Sequence, residues 1–263
     1  MNEQEILKWQ SYVAGLDFKP LFVTVSGAHI YGFNSPDSDV DLRGCHQLPL
    51  EAIVGLKSPV ETIDRESIED GVEVDIVSHD VGKYFRLLVK NNGYVLEQIF
   101  SPLIISGKSF LEELRPIADR CITRFHYHHY RGFYGTQRKL LEKEPVKKAK
   151  SLLYAYRVLL TGVHLMNTGR IETDIRNLYE ESGLNFVPDL IASKREEKIG
   201  LADLDWEFHS SQLDSLERKL EEAFERSSLP ETRDVEAVDQ LLVELRLGKD
   251  PDGKCGSVSL TRA

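Results

Sequence analysis

The 263-residue sequence has only three cysteines and two methionines, and it has no long apolar run. The scattered cysteines, Cys45, Cys121 and Cys255, provide neither a disulfide framework nor metal-ligand spacing, which favours a reducing compartment, the cytoplasm. No stretch approaches the roughly 20 apolar residues that span a bilayer, so we expect no membrane segment. The polar N-terminus, MNEQEILKWQ, is typical of an amphipathic helix rather than of a signal peptide.

The sequence also lacks a net positive charge. Its formal charge of −10 argues against a protein that coats nucleic acid by bulk electrostatics. The charge is uneven, however, because residues 115–157 contain 11 Lys/Arg against 3 Asp/Glu, a local charge of +8. Such a segment in an acidic protein either faces a polyanion or is a solvated helix face.

Short β-like and helical patterns alternate in the first third of the chain. They predict a helix over 3–15, strands over 21–27, 40–46 and 72–80, and helices over about 80–91 and 94–100. After about residue 120 the β signal ends and helical periodicity dominates. We therefore expect an α+β fold, with its parts in this order: an α/β domain with a small mixed sheet (1–118), an all-α domain (119–248) and a flexible tail (249–263).

Two aspartates, Asp39 and Asp41, lie one residue apart within the segment VSGAHIYGFNSPDSDVDLRG. Strand residues i and i+2 share a face, so these two side chains and Arg43 point to one side of the predicted strand. In the strand VEVDIVSHD the same alternation places Glu73 and Asp75 opposite the core face. If the two strands are neighbours, their carboxylates converge.

Converging carboxylates at ~5 Å repel by roughly 3 kcal/mol per pair at an effective dielectric near 20. Neither strand has a lysine at a suitable spacing, so we expect divalent cations to offset this repulsion. Hard oxygen ligands suit Mg²⁺ or Mn²⁺. The alternative is that Asp39 ends a Ser-Pro-Asp-Ser turn and Asp41 is an edge-strand charge.

The turn Ser26-Gly27-Ala28 follows the first predicted strand. A strand that ends in glycine and opens a short helix presents free backbone N–H groups, which favour a phosphate. Cation ligands and a phosphate-binding turn on adjacent elements together indicate metal-assisted phosphoryl or nucleotidyl transfer.

Three segments are similar to those of a known family: SGAHIYGFNSPDSDVDLRG, EVDIVSHDVGKYFRLLVKNNGYVLEQIFSP and KSLLYAYRVLLTG. The glycine turn, the Asp-x-Asp pair and the later aspartate resemble the DNA polymerase β-like nucleotidyltransferase superfamily. More narrowly, the chain resembles the RlaP-type predicted nucleotidyltransferases, which are proposed to act in RNA repair. The resemblance extends over nearly the whole chain, including its helical half.

The resemblance implies roles for particular residues. Asp39, Asp41 and Asp75 match the catalytic, metal-binding carboxylates, with Asp75 helping to activate the attacking hydroxyl. The implied substrate is a nucleoside triphosphate and the implied cofactor Mg²⁺ or Mn²⁺. The nucleotide-binding residues it implies are Ser26, Gly27, Ala28, His29, Ser38, Lys83, Lys150 and Arg157. Alanine replaces a frequent serine at position 28, so a backbone N–H or Ser26 takes over that contact.

Several residues keep alternative interpretations. Glu73 is an alternative third ligand, and His29 has either a substrate contact or a structural role in its turn. In the segment FHYHHY, His126 and His129 lie one helical turn apart, which is a weak metal signal without a third ligand. The aromatic rings there either stack on a base or pack between domains. Lys194 is a further phosphate contact on resemblance alone.

The leading functional hypothesis is transfer of a nucleoside monophosphate to an acceptor hydroxyl on an RNA end, with RNA bound by the basic segment 115–157. A second hypothesis replaces RNA by a protein or by a small molecule such as an aminoglycoside. A third is a non-catalytic nucleotide-binding or antitoxin-like module.

Overall fold

The computed structural model of the chain describes residues 1–36, 38–195 and 205–248. The predicted flexible tail, 249–263, lies outside these residues. In chain order the described elements are α1 (Glu3–Ala14), β1 (Pro20–Val25), α2 (Ala28–Tyr31), β2 (Val40–His46), α3 (Leu50–Val54), β3 (Thr62–Glu69), β4 (Val72–Asp80), α4 (Val81–Leu88), α5 (Gly93–Ile99), β5 (Ile104–Ser106), α6 (Lys108–Asp119), α7 (His126–Lys143), α8 (Ala149–Thr168), a 3₁₀ turn (Ile175–Asn177), α9 (Val187–Arg195), α10 (Trp206–Arg226) and α11 (Val235–Leu247).

The strands form one five-stranded mixed sheet in the order β3-β4-β2-β1-β5. Strands β2 and β4 are parallel, and the other neighbouring pairs are antiparallel. Helices follow from α6 to the end of the described chain. The predicted α+β class is confirmed, and β2 and β4 have the bounds that their apolar alternation predicts.

The sequence interpretation missed the two edge strands. Strand β3 lies at the edge of the sheet and pairs on one side only. Its side chains are exposed or half-buried, and its sequence therefore has no apolar alternation. Its hairpin with β4 turns at Asp70-Gly71, where both residues have positive φ, 52° and 81°. An Asp-Gly pair is a strong hairpin signal, and this pair could have predicted the turn. Strand β5, with three residues, is too short to show a period.

The two faces of the sheet differ in chemistry. On one face, Val40 and Leu42 of β2 and Val74 and Ile76 of β4 belong to an apolar cluster that Trp9 and Val13 of α1 complete. The other face turns toward the helical half. Because strand side chains alternate, burying these aliphatic residues under α1 presents the intervening charged residues of β2 and β4 on the helical side.

The helical half packs against the sheet-bearing half without a break in the core. One apolar cluster includes Phe22 of β1, Leu96 of α5, Leu153 of α8 and Leu213 of α10. Helix α11 then returns to the sheet, where Arg246 donates to Asp80 at the end of β4 and to the Leu48 carbonyl oxygen. The predicted boundary near residue 118 coincides with the end of α6, and the division into two domains stays a prediction. None of the described helices is long and apolar enough to cross a membrane.

Candidate active site

Asp41 and Asp75 are directly opposite each other on the parallel strands β2 and β4. The expectation that these strands are neighbours is confirmed, and the register selects Asp75 rather than Glu73 as the partner of Asp41. Both carboxylate side chains keep about a third of their surface exposed, at 29% and 31%. The arrangement therefore presents two acidic side chains to solvent and to ligands from one face of the sheet.

Arg43 bridges the two carboxylates. Its Nη2 donates to Asp41 Oδ1 and to Asp75 Oδ2, both at 2.9 Å. The sequence argument that only bound cations offset the carboxylate repulsion is therefore wrong, because it considered lysines and overlooked an arginine two residues along the same face. We call Asp41, Arg43 and Asp75 the strand cluster.

One oxygen of each carboxylate remains outside this bridge. Asp75 Oδ1 is buried and has no hydrogen-bond partner among the described residues. Burial raises the pKa of Asp41, Arg43 lowers it, and Asp75 and Asp39 raise it further, with a net upward shift. An additional cation at this position would lower the free energy of the ionised carboxylates.

Asp39 lies in the loop just before β2 and is exposed. The ladder between β2 and β4 begins at Val40 and Val74, so no strand pairing holds Asp39 against the other two carboxylates. Across residues 1–36, 38–195 and 205–248, no three His, Cys, Asp or Glu side chains are grouped to hold a metal ion. The strand register brings Asp41 and Asp75 together, Asp39 acts on Asp41 electrostatically, and the metal-binding role of Asp39 stays a prediction.

Gly27 lies directly against the carboxylate of Asp41. Its φ of 64° is in the region that favours glycine, and a Cβ added there would lie 1.9 Å from Asp41 Oδ2. The Ser26 N–H donates to the Asp41 backbone oxygen at 2.8 Å, which fixes the turn to β2. Only glycine fits this close approach, so the sequence signal at position 27 has a physical cause.

His29 and Ala28 follow in the short helix α2. Ala28 is buried in the apolar core. Both ring nitrogens of His29 are buried and lack a hydrogen-bond partner in the described chain. Burial, followed by the nearby N-terminal ammonium group, lowers the pKa of His29, so its imidazole is neutral near pH 7. The geometry allows either role considered for His29.

A cleft of about 390 Å³ opens at the strand cluster and extends to the helical half. It includes four of the predicted site residues, Ser26, Gly27, Asp41 and Arg157. The cleft is lined by Ser26, Gly27, Tyr31, Asp41, Arg43, Val77, His79, Leu87, Asn92, Tyr94, Val95, Gln98, Phe133, Tyr154 and Arg157.

The other predicted nucleotide-binding residues lie beside this cleft or away from it. The Ser38 hydroxyl accepts hydrogen bonds from the Ser35 N–H and from Lys194 Nζ, each at 2.9 Å. Lys83 donates to the Thr62 hydroxyl, which in turn contacts a ring nitrogen of the cleft residue His79. Lys150 is exposed on the first turn of α8. Their roles toward a nucleotide stay predictions.

Comparison with known proteins identifies the family. A family model described as "RlaP: RNA repair pathway DNA polymerase beta family" matches residues 1–244. The chain belongs to this family. Membership places it among nucleotidyltransferases of the polymerase β type, the general class that the sequence motifs predict.

Two comparisons illustrate the range of similarity to this chain. "Uncharacterized protein MJ0002" of Methanocaldococcus jannaschii is 31% identical over 184 residues, which are 67% of this chain and 74% of the relative. A crystal structure of a nucleotidyltransferase-like protein from Exiguobacterium sibiricum is 14% identical, with a TM-score of 0.33, over 85% of this chain and 75% of the other.

Arg157 is fully buried and is paired with a residue that the sequence interpretation missed. Its Nη1 donates to Glu97 Oε1 at 2.7 Å, and its guanidinium lies 3.8 Å above the ring of Tyr31. Tyr31 donates its hydroxyl to the other Glu97 oxygen at 3.3 Å. We call Tyr31, Glu97 and Arg157 the buried cluster. Two guanidinium nitrogens, Nε and Nη2, have no partner within the described residues.

Aromatic and amide side chains that the sequence analysis did not single out complete the cleft wall. Tyr94 packs edge-on against Phe133 with ring centroids 4.9 Å apart. Tyr154 packs edge-on against Tyr31, and burial raises its pKa to about 12. A usable signal existed for Tyr154, because it lies three residues before Arg157 and therefore on the same face of α8.

Most arginines of the basic segment 115–157 form ion pairs within the chain. Arg131 pairs with Glu217 and Glu221 of α10, and Arg120 pairs with Asp234 at the start of α11. Part of the local charge of +8 is therefore offset in three dimensions by acidic residues that follow much later in the sequence. Further pairs of this kind are Arg124–Glu231 and Arg138–Asp214, and Arg157 pairs with the earlier residue Glu97.

The histidine pair in FHYHHY is part of the interior. His126 is fully buried, and its Nδ1 accepts from the Thr123 N–H at 3.2 Å. Burial lowers the pKa of His126 and of His129 to about 4. Tyr130 and Tyr134 are also buried, so the packing interpretation of these aromatic residues is confirmed.

Proposed function

We propose that the chain transfers a nucleoside monophosphate from a nucleoside triphosphate to an acceptor hydroxyl, with an RNA end as the leading acceptor. The observation that supports this most directly is the register pair Asp41–Asp75 beside the Gly27 turn, at one end of a cleft large enough for a ligand. The family description, which names an RNA repair pathway, supports the RNA acceptor.

The donor atoms of the strand cluster fit a divalent cation. Asp75 Oδ1 is a buried carboxylate oxygen without a hydrogen-bond partner in the described chain, and such an atom is costly unless a ligand satisfies it. Asp41 and Asp75 would hold Mg²⁺ or Mn²⁺, joined by Asp39 from the adjacent loop. When bound, such a cation would neutralise charge on the triphosphate.

The turn at residues 26–28 would bind the triphosphate. The Ser26 N–H is already used by the Asp41 backbone oxygen. The N–H groups of Gly27 and Ala28, together with the nearby Ser26 hydroxyl, would donate to phosphate oxygens. This assignment agrees with the absence of a serine hydroxyl at position 28.

In the proposed reaction the acceptor oxygen attacks the α-phosphorus and forms a new P–O bond. The bond between the α-phosphorus and the bridging oxygen breaks, and pyrophosphate leaves with that electron pair. Asp75, beside the attacking hydroxyl, would favour the loss of the hydroxyl proton to solvent. Each group then has a defined role: the turn would bind the triphosphate, and Asp41 and Asp75 would hold the cation beside the attacking hydroxyl.

The test uses the full chain with each of four α-labelled ribonucleotides, Mg²⁺ or Mn²⁺, and RNA acceptors. We expect label on RNA with wild type and with Asp239→Asn, an exposed aspartate on α11 that serves as a matched control. Asp41→Asn should abolish transfer. Unchanged transfer in Asp41→Asn would remove the strand cluster from the mechanism.

A second acceptor class follows from the ion pairs of the basic segment. Because several of its arginines are neutralised by acidic residues of α10 and α11, the segment offers less charge to a polyanion than its sequence suggests. A protein hydroxyl or a small molecule is therefore the alternative acceptor. Label on a protein or an aminoglycoside, with none on RNA, would identify it.

A non-catalytic nucleotide-binding module is the remaining alternative. It predicts no transfer to any acceptor and no saturable binding of Mn²⁺ to the metal-free protein. Titration of Mn²⁺ into the full chain separates it from the enzyme hypotheses.

A further inference from the structure

Arg43 is held by four acceptors rather than by the two carboxylates alone. While Nη2 bridges Asp41 and Asp75, Nη1 donates to the backbone oxygens of Leu42 at 2.9 Å and of Asp75 at 3.1 Å. The two carbonyl contacts do not depend on the charge of either carboxylate. The guanidinium is therefore fixed to the backbone of both strands.

The position of Arg43 determines which carboxylate oxygens remain for another ligand. Asp41 Oδ1 and Asp75 Oδ2 are bound to Nη2. Asp75 Oδ1 has no partner in the described chain, and Asp41 Oδ2 lies against Gly27, beside the turn that lines the cleft. Each carboxylate therefore has one oxygen bound to Arg43 and the other left for a further ligand.

We propose that Arg43 is a positioning residue that stays on Asp41 and Asp75 while their remaining oxygens bind a divalent cation. This inference rests on the proposed function, because it assumes that the strand cluster binds a cation. The opposite possibility is that Arg43 competes with the cation and must leave. The two carbonyl contacts favour the first, because they retain the guanidinium in place whatever the carboxylates bind.

The two possibilities predict opposite effects of removing the guanidinium. Partners that orient ligand side chains typically contribute 10–100-fold to metal affinity. A positioning Arg43 therefore predicts that Arg43→Gln weakens Mn²⁺ binding by about 10–100-fold. A competing Arg43 predicts tighter binding in the same variant, since a positive charge is removed from the site.

The experiment is a Mn²⁺ titration of the metal-free full chain, followed by the electron paramagnetic resonance signal of free Mn²⁺. The matched control is Arg65→Gln, an exposed arginine on β3 whose carboxylate partner is Asp17. The control should bind Mn²⁺ like wild type. Equal or tighter binding by Arg43→Gln would overturn the proposal.

A second variant covers the case in which Arg43→Gln does not fold, as judged by circular dichroism. Arg43→Lys keeps the charge but lacks the fork that contacts both the carboxylates and the carbonyl oxygens. We expect it to fold and to bind Mn²⁺ about tenfold more weakly than wild type. Wild-type affinity in Arg43→Lys would mean that charge alone suffices, and would overturn the positioning role.

The outcome for wild type separates this inference from the proposed function. If wild type shows no saturable Mn²⁺ binding, the metal-dependent function fails and the role of Arg43 toward a cation fails with it. If wild type binds Mn²⁺ and Arg43→Gln binds equally well, only the role of Arg43 fails. The measurement needs no acceptor and no knowledge of the nucleotide.

Discussion

Two arginine–carboxylate clusters contribute residues to the lining of one cleft, and they differ mainly in burial. In the strand cluster Arg43 and its two carboxylates are 21–31% exposed. In the buried cluster Arg157 and Glu97 are 0% and 2% exposed. Breaking a buried ion pair is strongly destabilising, whereas a partly exposed ion pair contributes little to stability. The comparison suggests that the strand cluster serves ligands and that the buried cluster maintains the architecture around them.

The largest effect should come from breaking the buried cluster. Arg157→Met leaves the Glu97 carboxylate without its partner in the interior, and we expect a loss of about 3–5 kcal/mol in the free energy of unfolding. Urea denaturation near pH 7 measures it. The double variant Glu97→Gln/Arg157→Met removes both charges and should recover part of the loss. If Arg157→Met keeps nearly full stability, Arg157 is available for substrate and the contrast between the clusters disappears.

A buried neutral histidine should make the free energy of unfolding depend on pH, and an exposed histidine should not. The folded pKa of His126, about 4, is below its ordinary value of 6.5, so the unfolded chain binds the proton first. The stabilisation that comes from burying neutral His126 is complete above about pH 6.5. It is lost as the pH falls toward 4, and the free energy of unfolding drops by about 3 kcal/mol. Urea denaturation between about pH 7 and about pH 4.5 measures the slope.

The control for the pH effect is a histidine in the same helix. His126→Leu should flatten the slope, while His128→Gln, at an exposed position, should leave it as in wild type. An unchanged slope in His126→Leu would show that other groups, such as His129, dominate the acid sensitivity.

At the glycine turn, backbone strain and steric conflict can be separated by comparing two glycines with positive φ. Gly71→Ala, in the β3–β4 hairpin, has open space around its new methyl group and should lose only about 1–2 kcal/mol. Gly27→Ala meets the Asp41 carboxylate and should lose more.

The activity readout sharpens the comparison of these glycines. Displacing Asp41 in Gly27→Ala should reduce nucleotide transfer about 100-fold, because small misplacements at a reacting centre cost that much. Gly71→Ala should transfer like wild type. Transfer assays and urea denaturation check both statements, and equal losses for the two glycines would contradict the close approach to Asp41.

The smallest effect on stability belongs to the strand cluster. Asp41→Asn should change the free energy of unfolding by less than about 1 kcal/mol, because the carboxylate is partly exposed and already repelled by Asp75. The same variant should abolish transfer. A loss of several kcal/mol would mean that the strand cluster is structural and resembles the buried cluster.

The placements that the sequence predicted and the structure shows, two facing aspartates on neighbouring strands and a glycine turn, rest on local signals. Asp41 and Asp75 stand out because alternation within each strand assigns a face, and Gly27 stands out because a turn needs it. Tyr154 and Glu97 were missed because an aromatic or acidic residue in a helix looks the same whether it borders a cleft or the core. Their environment depends on which other elements pack against them.

Local periodicity and turn chemistry by themselves determined the β2 and β4 strands, the acidic face and the glycine turn. The tertiary structure alone decided that Arg43 bridges two carboxylates, that Asp39 lies outside the β2–β4 ladder, and that later acidic residues pair with several arginines of the basic segment. The physical reason is the sequence distance over which each interaction acts. Alternation acts within a few residues, whereas ion pairs such as Arg131–Glu217 and Arg157–Glu97 join positions that only the folded chain brings together.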